Sequence, residues 1–178
     1  MNMPELEIVN TDTIRLERTL DAPPETVWRY LVEAELRQLW FAGGTDARAG
    51  EPVELLFDHD HLSTEPVPYP DEYAKWKGAV GHEQVVEFDQ PNVLAISWDG
   101  RAEGVARFEL FAQGDGRTRL VLTHSGISGP GPMANFAAGW DSHLAVLAGR
   151  LSGSPVANFW ALHAKREAEI AKQLGATA

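Results

Sequence analysis

Polar and apolar residues alternate along Thr13-Ile14-Arg15-Leu16-Glu17-Arg18-Thr19-Leu20, the period of a half-buried strand. Asp21-Ala22-Pro23-Pro24-Glu25 then breaks the pattern. Proline fits a first helical turn, where its missing N–H is not needed, and Glu25 suits the positive helix end. Val27, Tyr30, Leu31 and Ala34 follow at helical spacing. The helical pattern runs on through Leu36, Leu39, Trp40 and Phe41 as two short helices, and Gly43-Gly44 stops it. From Glu51 the period shortens again. Strands are expected over Val53–Phe57, Val80–Phe88, Val93–Trp98, Val105–Ala112 and Arg117–His124, with turn residues between the last four. Residues 58–77 carry Pro66, Pro68 and Pro70 on alternate positions. That spacing excludes a central strand or a helix and leaves a long surface loop.

Helical spacing returns near the end. Phe136, Trp140, His143, Leu144, Leu147 and Leu151 share one face of an amphipathic helix about four turns long. Ser152-Gly153 ends it. Ser154-Pro155 reads as N-cap and first position of a last helix reaching Leu174-Gly175, with Phe159, His163, Ile170 and Leu174 on one face. Strands grouped apart from helices predict an α+β fold: a curved antiparallel sheet of about six strands wrapped round a long C-terminal helix. Two short helices follow the first strand, and an extra helix ends the chain. The expected organisation is a flexible start over 1–12 and a single domain over 13–174. A splay between sheet and helix leaves a cavity, a common place for a ligand.

Composition narrows the chemistry. Hydrophobic residues make up 44% and charged residues 23% of the 178, as in an ordinary globular protein. The net charge of −11 repels a phosphate backbone, so nucleic acid is not expected as a partner. With no cysteine, thiol nucleophiles, thiolate zinc sites and iron–sulfur clusters are excluded together. No stretch approaches the roughly 18 apolar residues of a membrane helix. The first residues show neither the basic nor the apolar region of a signal peptide. The expectation is a cytoplasmic protein, without membrane association or cofactor.

Few side chains offer catalysis. On an extended segment, His59 and His61 of Asp58-His59-Asp60-His61 would share a side, as a metal site needs. No third ligand is specified, and a solvated loop explains them as well, so no metal is expected. His124 ends a strand and His143 lies on the apolar helix face. Each reads either as a polar anchor or base in the cavity, or as a hydrogen-bonded structural residue. Asp141 and Glu83 read as surface residues. Ser142 sits in no nucleophile elbow. Trp40, Trp98 and Trp140 belong to elements facing the sheet–helix gap, as core or as ligand-facing rings.

The chain resembles the START-like, or SRPBCC, superfamily with its helix-grip fold. Within it, the chain looks like the branch named for the activator of the heat-shock-protein-90 ATPase. Glu17-Arg18-Thr19-Leu20-Asp21-Ala22-Pro23-Pro24-Glu25-Thr26-Val27-Trp28 and Trp40-Phe41 carry the likeness. So do Leu94-Ala95-Ile96-Ser97-Trp98, the run Thr118 to Gly126, Gly139 to Leu144, and Phe159 to Ala164. These motifs speak for fold more than for activity. The expected function is binding of a small hydrophobic or aromatic molecule. Its walls would be Trp40, Phe57, Trp98, Phe108, Leu120 and Leu122, with Trp140, Leu144 and Leu147 on the helix. His124 and His143 would be polar anchors, and the loop from His59 to Lys77 a gate carrying Trp76 as lid. Two alternatives stand beside it: a cyclase- or hydratase-type enzyme using His124 or His143 as base, and a chaperone-associated interaction module. A homodimer contact through the last helix stays open.

Overall fold

The computed structural model describes residues 6–175. Its centre is an antiparallel sheet of eight strands: β1 (Leu6–Asn10), β2 (Thr13–Leu20), β3 (Gly43–Gly44), β4 (Pro52–Phe57), β5 (Ala79–Asp89), β6 (Val93–Ser97), β7 (Val105–Gln113) and β8 (Arg117–Ser125). They lie in the order β1-β2-β8-β7-β6-β5-β4-β3. Helices α1 (Pro24–Val32) and α2 (Ala34–Arg37) follow β2. A one-turn helix α3 (Asp71–Ala74) precedes β5, and α4 (Pro130–Leu151) and α5 (Phe159–Gly175) close the chain. This is the α+β helix-grip architecture.

Alternation decides which face is buried. Ile14, Leu16 and Leu20 of β2 stand opposite His124, Leu122 and Thr118 of β8. Ala106 and Phe108 of β7 continue the same rows beside His124 and Leu122. All of these are buried, and they meet α4 through Trp140, Leu144 and Leu147. Strand β5 supplies the curvature. Its first half, through Gln84, pairs with β4, and its second half, from Val85, pairs with β6. The register shifts between Val85 and Glu87, a bulge that bends the strand where it changes partner.

The six strands expected from alternation are present, and two more lie at the sheet edges. Part of the flexible start expected over residues 1–12, namely 1–5, lies outside the described residues. Leu6–Asn10 pair with β2. Gly43-Gly44, read as a helix stop, pairs with Leu56 and Leu55. Gly44 has φ +97°, and a Cβ there would sit 2.1 Å from the Glu54 carbonyl oxygen. Only glycine allows that approach.

Helix α4 is longer than the apolar stripe implied, because Pro130 opens it at N1, before the first stripe residue. The last helix begins at Phe159 rather than after Ser154. Asn158 is its cap: its Oδ1 accepts the Ala161 N–H at 2.9 Å. Residues 154–158 instead run alongside the proline loop. The Thr64 and Glu65 N–H groups donate to the Val156 and Ala157 carbonyls, both at 3.1 Å. A Cβ on Gly149 would come within 2.6 Å of the Ser154 oxygen, so a bare helix surface is what lets this segment cross α4.

Candidate functional site

The site begins with a buried arginine. Arg37, at the end of α2, is only 2% exposed. Its Nε donates to the Ala42 carbonyl at 2.9 Å, and its Nη2 to those of Gly43 at 2.9 Å and Thr45 at 2.6 Å. Burial lowers its pKa to about 10. This fork holds the turn that carries Trp40-Phe41. Trp40 Nε1 donates to the Tyr30 carbonyl at 2.8 Å. The Trp40 carbonyl then receives His143 Nδ1–H at 2.8 Å. A carbonyl only accepts, so the neutral imidazole is protonated on Nδ1 and carries its lone pair on Nε2.

His143 borders two cavities. The larger, about 260 Å³, lies between the proline loop and the helices. Phe57, Tyr69, Tyr73, Trp76, Phe159 and Trp160 supply its aromatic walls, and His59 and His163 join His143 at its edge. The smaller, about 140 Å³, shares Phe57, His59 and His143 and reaches between Phe41, Trp98 and Trp140. The rings pack on one another: His59 stacks on Trp160 with centroids 5.1 Å apart, and Tyr73 on Trp160 at 5.0 Å.

The proline loop is fastened at several points. Asp58 accepts the Asp60 N–H and caps a 3-10 turn over His59–His61. That turn replaces the extended geometry in which His59 and His61 would share a side. His59 faces the cavities, and His61 is exposed with its carbonyl taken by Arg150 Nη2 at 2.6 Å. The Tyr69 hydroxyl lies 2.8 Å from His59 Nδ1. Tyr73 donates its hydroxyl to Glu167 of α5. Lys77 pairs with Asp60 at 2.5 Å. Trp76, 57% exposed, stands at the rim. On the other side of Tyr69 and Trp160 a polar crevice of about 440 Å³ runs under Pro66 and Pro68.

Burial keeps the three cavity histidines, His59, His143 and His163, neutral. Burial drives His143 well below its ordinary value, helped by the nearby His59. Burial, with a smaller push from His163, lowers His59 to about 4. His163 is lowered by burial against the pull of Glu167. Tyr73 is pushed up, first by burial and then by its bond to Glu167. Ser142, His163 and Glu167 lie in sequence, with Ser142 Oγ 3.0 Å from His163 Nδ1 and His163 Nε2 3.4 Å from Glu167. The serine is fully buried and spends its hydrogen on the Ala138 carbonyl at 2.7 Å. It is held as a structural group.

Phe57, Trp98, Trp140 and His143 come together on the cavity walls. Trp40 lies behind His143 and reaches it through its carbonyl. Phe108, Leu120, Leu122, Leu144 and Leu147 are packed in the core between sheet and α4. His124 is fully buried and engaged at both nitrogens: Nδ1 accepts Trp140 Nε1–H at 3.0 Å, and Nε2–H donates to the Glu103 carbonyl at 2.7 Å. Tyr69, Tyr73, Phe159, Trp160 and His163 were absent from the sequence-derived walls. The signals for them were the gate expected over His59 to Lys77, which holds Tyr69 and Tyr73, and Phe159 and His163 on a shared face of the last helix. Asp141 and Glu83, read as surface, are instead committed internally. Asp141 bonds Arg18 of β2 and lies 3.3 Å from Arg166 of α5, while Glu83 accepts the Ser97 hydroxyl at 2.8 Å.

Among the described residues no helix is long and apolar enough to cross a membrane. No curated protein matches the chain. The protein encoded by gene BPP1335 of Bordetella parapertussis is 36% identical over 92% of this chain and 87% of its own, with a TM-score of 0.77. CalU16 of Micromonospora echinospora aligns at 19% identity over 90% and 86% of the two chains, with a TM-score of 0.63. An HSP90 activator of Plasmodium falciparum, PFC0360w, aligns at 16% identity over 72% and 87%, with a TM-score of 0.52. The last two share the fold. The profile of the family described as Activator of Hsp90 ATPase homolog 1-like protein matches residues 21–152. The chain belongs to that family.

Proposed function

We propose that the protein binds a small, largely apolar, aromatic-type molecule in the cavity between the proline loop, α4 and α5. The observation that carries this reading is the roughly 260 Å³ space walled by aromatic rings. An engineered apolar cavity of about 150 Å³ holds one benzene ring, so this volume suits a bicyclic molecule. Catalysis is the weaker reading. Both His124 nitrogens are engaged by Trp140 and Glu103, and burial makes His143 a poor proton acceptor near neutral pH. A chaperone contact would draw on the Plasmodium HSP90 activator, whose 16% identity speaks for the fold alone.

Tryptophan emission tests the proposal, because Trp76 and Trp160 line the cavity. Naphthalene, indole and larger apolar molecules are titrated into the protein. Saturable quenching is expected for the bicyclic probes, and it should vanish in Ala79→Phe, which places a ring in the cavity. Unchanged emission across the panel, or equal binding by a folded Ala79→Phe, overturns the proposal.

A further inference from the structure

The cavity offers a ligand two imidazole nitrogens, His59 Nε2 and His143 Nε2, and the fold fixes the character of the second. His143 is 7% exposed. Its Nδ1–H is held by the Trp40 carbonyl, so Nε2 is an acceptor with no protein hydrogen bond among the described residues. Nor is Nε2 a sealed atom: the sealed side-chain nitrogen without a hydrogen bond among the described residues is Arg166 Nε, which is ion-paired with Asp141. Nε2 therefore opens onto the cavities that His143 borders.

Of the other polar groups nearby, His59 Nε2 has no protein hydrogen bond among the described residues, while the hydroxyls and His163 are committed. The Tyr69 hydroxyl is bound to His59 and that of Tyr73 to Glu167. Among the described residues no lysine or arginine lines the larger cavity; Lys75 lies over the Trp76 ring, and Lys77, paired with Asp60, lies over the Tyr69 ring and lines the neighbouring crevice. Glu167, reached through Tyr73 and His163, adds negative charge beside the wall. An anion entering this space loses its hydration and finds no cation among the wall residues, Lys75 and Lys77 being separated from it by the Trp76 and Tyr69 rings, which costs several kcal/mol. A neutral molecule with an O–H or N–H finds the acceptor it needs.

Resting on the binding reading above, we infer that the cavity selects an uncharged aromatic bearing a hydrogen-bond donor, a phenol- or indole-like molecule anchored on His143 Nε2, and rejects carboxylates. His143 is thus a specificity-determining residue rather than a base.

Three probes of nearly equal shape separate the possibilities: 2-naphthol, naphthalene and 2-naphthoate, measured by tryptophan quenching at pH 7.5. Asparagine places its amide N–H near the position of Nδ1 and has nothing at Nε2. His143→Asn therefore keeps a donor for the Trp40 carbonyl and removes the acceptor. Wild-type protein should bind 2-naphthol and reject 2-naphthoate by about a hundredfold or more. His143→Asn should weaken 2-naphthol about tenfold, the scale of one buried hydrogen bond, and naphthalene by less than about twofold. The naphthalene result doubles as a check that the variant's cavity is intact. If naphthalene and 2-naphthol bind but His143→Asn weakens both alike, or if 2-naphthoate binds as well as 2-naphthol, the selectivity inference falls and the binding reading stands. Binding of none of the three overturns both.

Discussion

Arg37 shows how one side chain can hold a site it does not touch. Its guanidinium satisfies carbonyls of Ala42, Gly43 and Thr45, on and beside the two-residue strand β3. The chain of support then runs through the Trp40 carbonyl to His143. Truncating Arg37 leaves several buried acceptors unpaired. Arg37→Met should therefore cost about 3–5 kcal/mol, read as a lowered urea midpoint at unchanged slope. Arg37→Lys should recover only part of it, because an ammonium cannot fork between three carbonyls. A midpoint within a few tenths molar of wild type would show that the turn holds itself. Nothing in the pattern Leu36, Leu39, Trp40 announces this role. The partners are main-chain atoms, and their positions follow from the turn and not from residue type.

At the scale of elements, the proline loop behaves as a strap across α5. Its rigid points are the stack of His59 on Trp160, the Tyr73 bond to Glu167 and the pairing of 64–65 with 156–157. Tyr73→Phe keeps the stack and deletes the bond. Amide exchange should rise across 69–77, and naphthalene should both enter and leave several-fold faster at nearly constant affinity. Exchange confined to its wild-type rate would mean the stack alone holds the strap. The elements themselves were largely legible. Period-two alternation marked β2 and β4 to β8, and the i, i+4 stripe marked α4 with His143 on its buried face. The misreadings share a cause. Gly43-Gly44 and residues 154–158 take their conformation from a neighbour in space: Leu55-Leu56 for the first, the proline loop for the second. The candidate site was half legible for the same reason. Phe57, Trp98, Trp140 and His143 stand on regular elements whose faces a period reveals. His59, Tyr69 and Tyr73 stand on a loop whose side is chosen only when it packs on α5.

Across the whole molecule, the histidines tie stability to pH. His59 comes from the loop, His143 from α4 and His163 from α5, and they meet around Phe159. His59 and His143 rings lie 5.2 Å apart, so protonating one opposes protonating the other. Glu167 and Glu72 act on His163, and Asp58 and Asp60 act on His59; none of them reverses the effect of burial. In the unfolded chain each histidine returns to its ordinary value near 6.5. Between the folded and unfolded values the unfolded state binds more protons. Stability is therefore full above about 6.5, begins to fall as pH drops through it, and for His59 is fully lost below about 4. Each histidine steepens that fall by at most about 1.4 kcal/mol per pH unit. Carboxylates with lowered values, such as Glu17 beside Arg15, act in a lower window, below their ordinary 4.5. The drop between pH 7 and 5 thus belongs to the histidines. Urea midpoints should decline over that interval, and His143→Asn should flatten the decline by about one histidine's share. A midpoint independent of pH from 7 to 5 would mean that the rings take up protons in the folded state, with the aromatic cluster admitting water to do so.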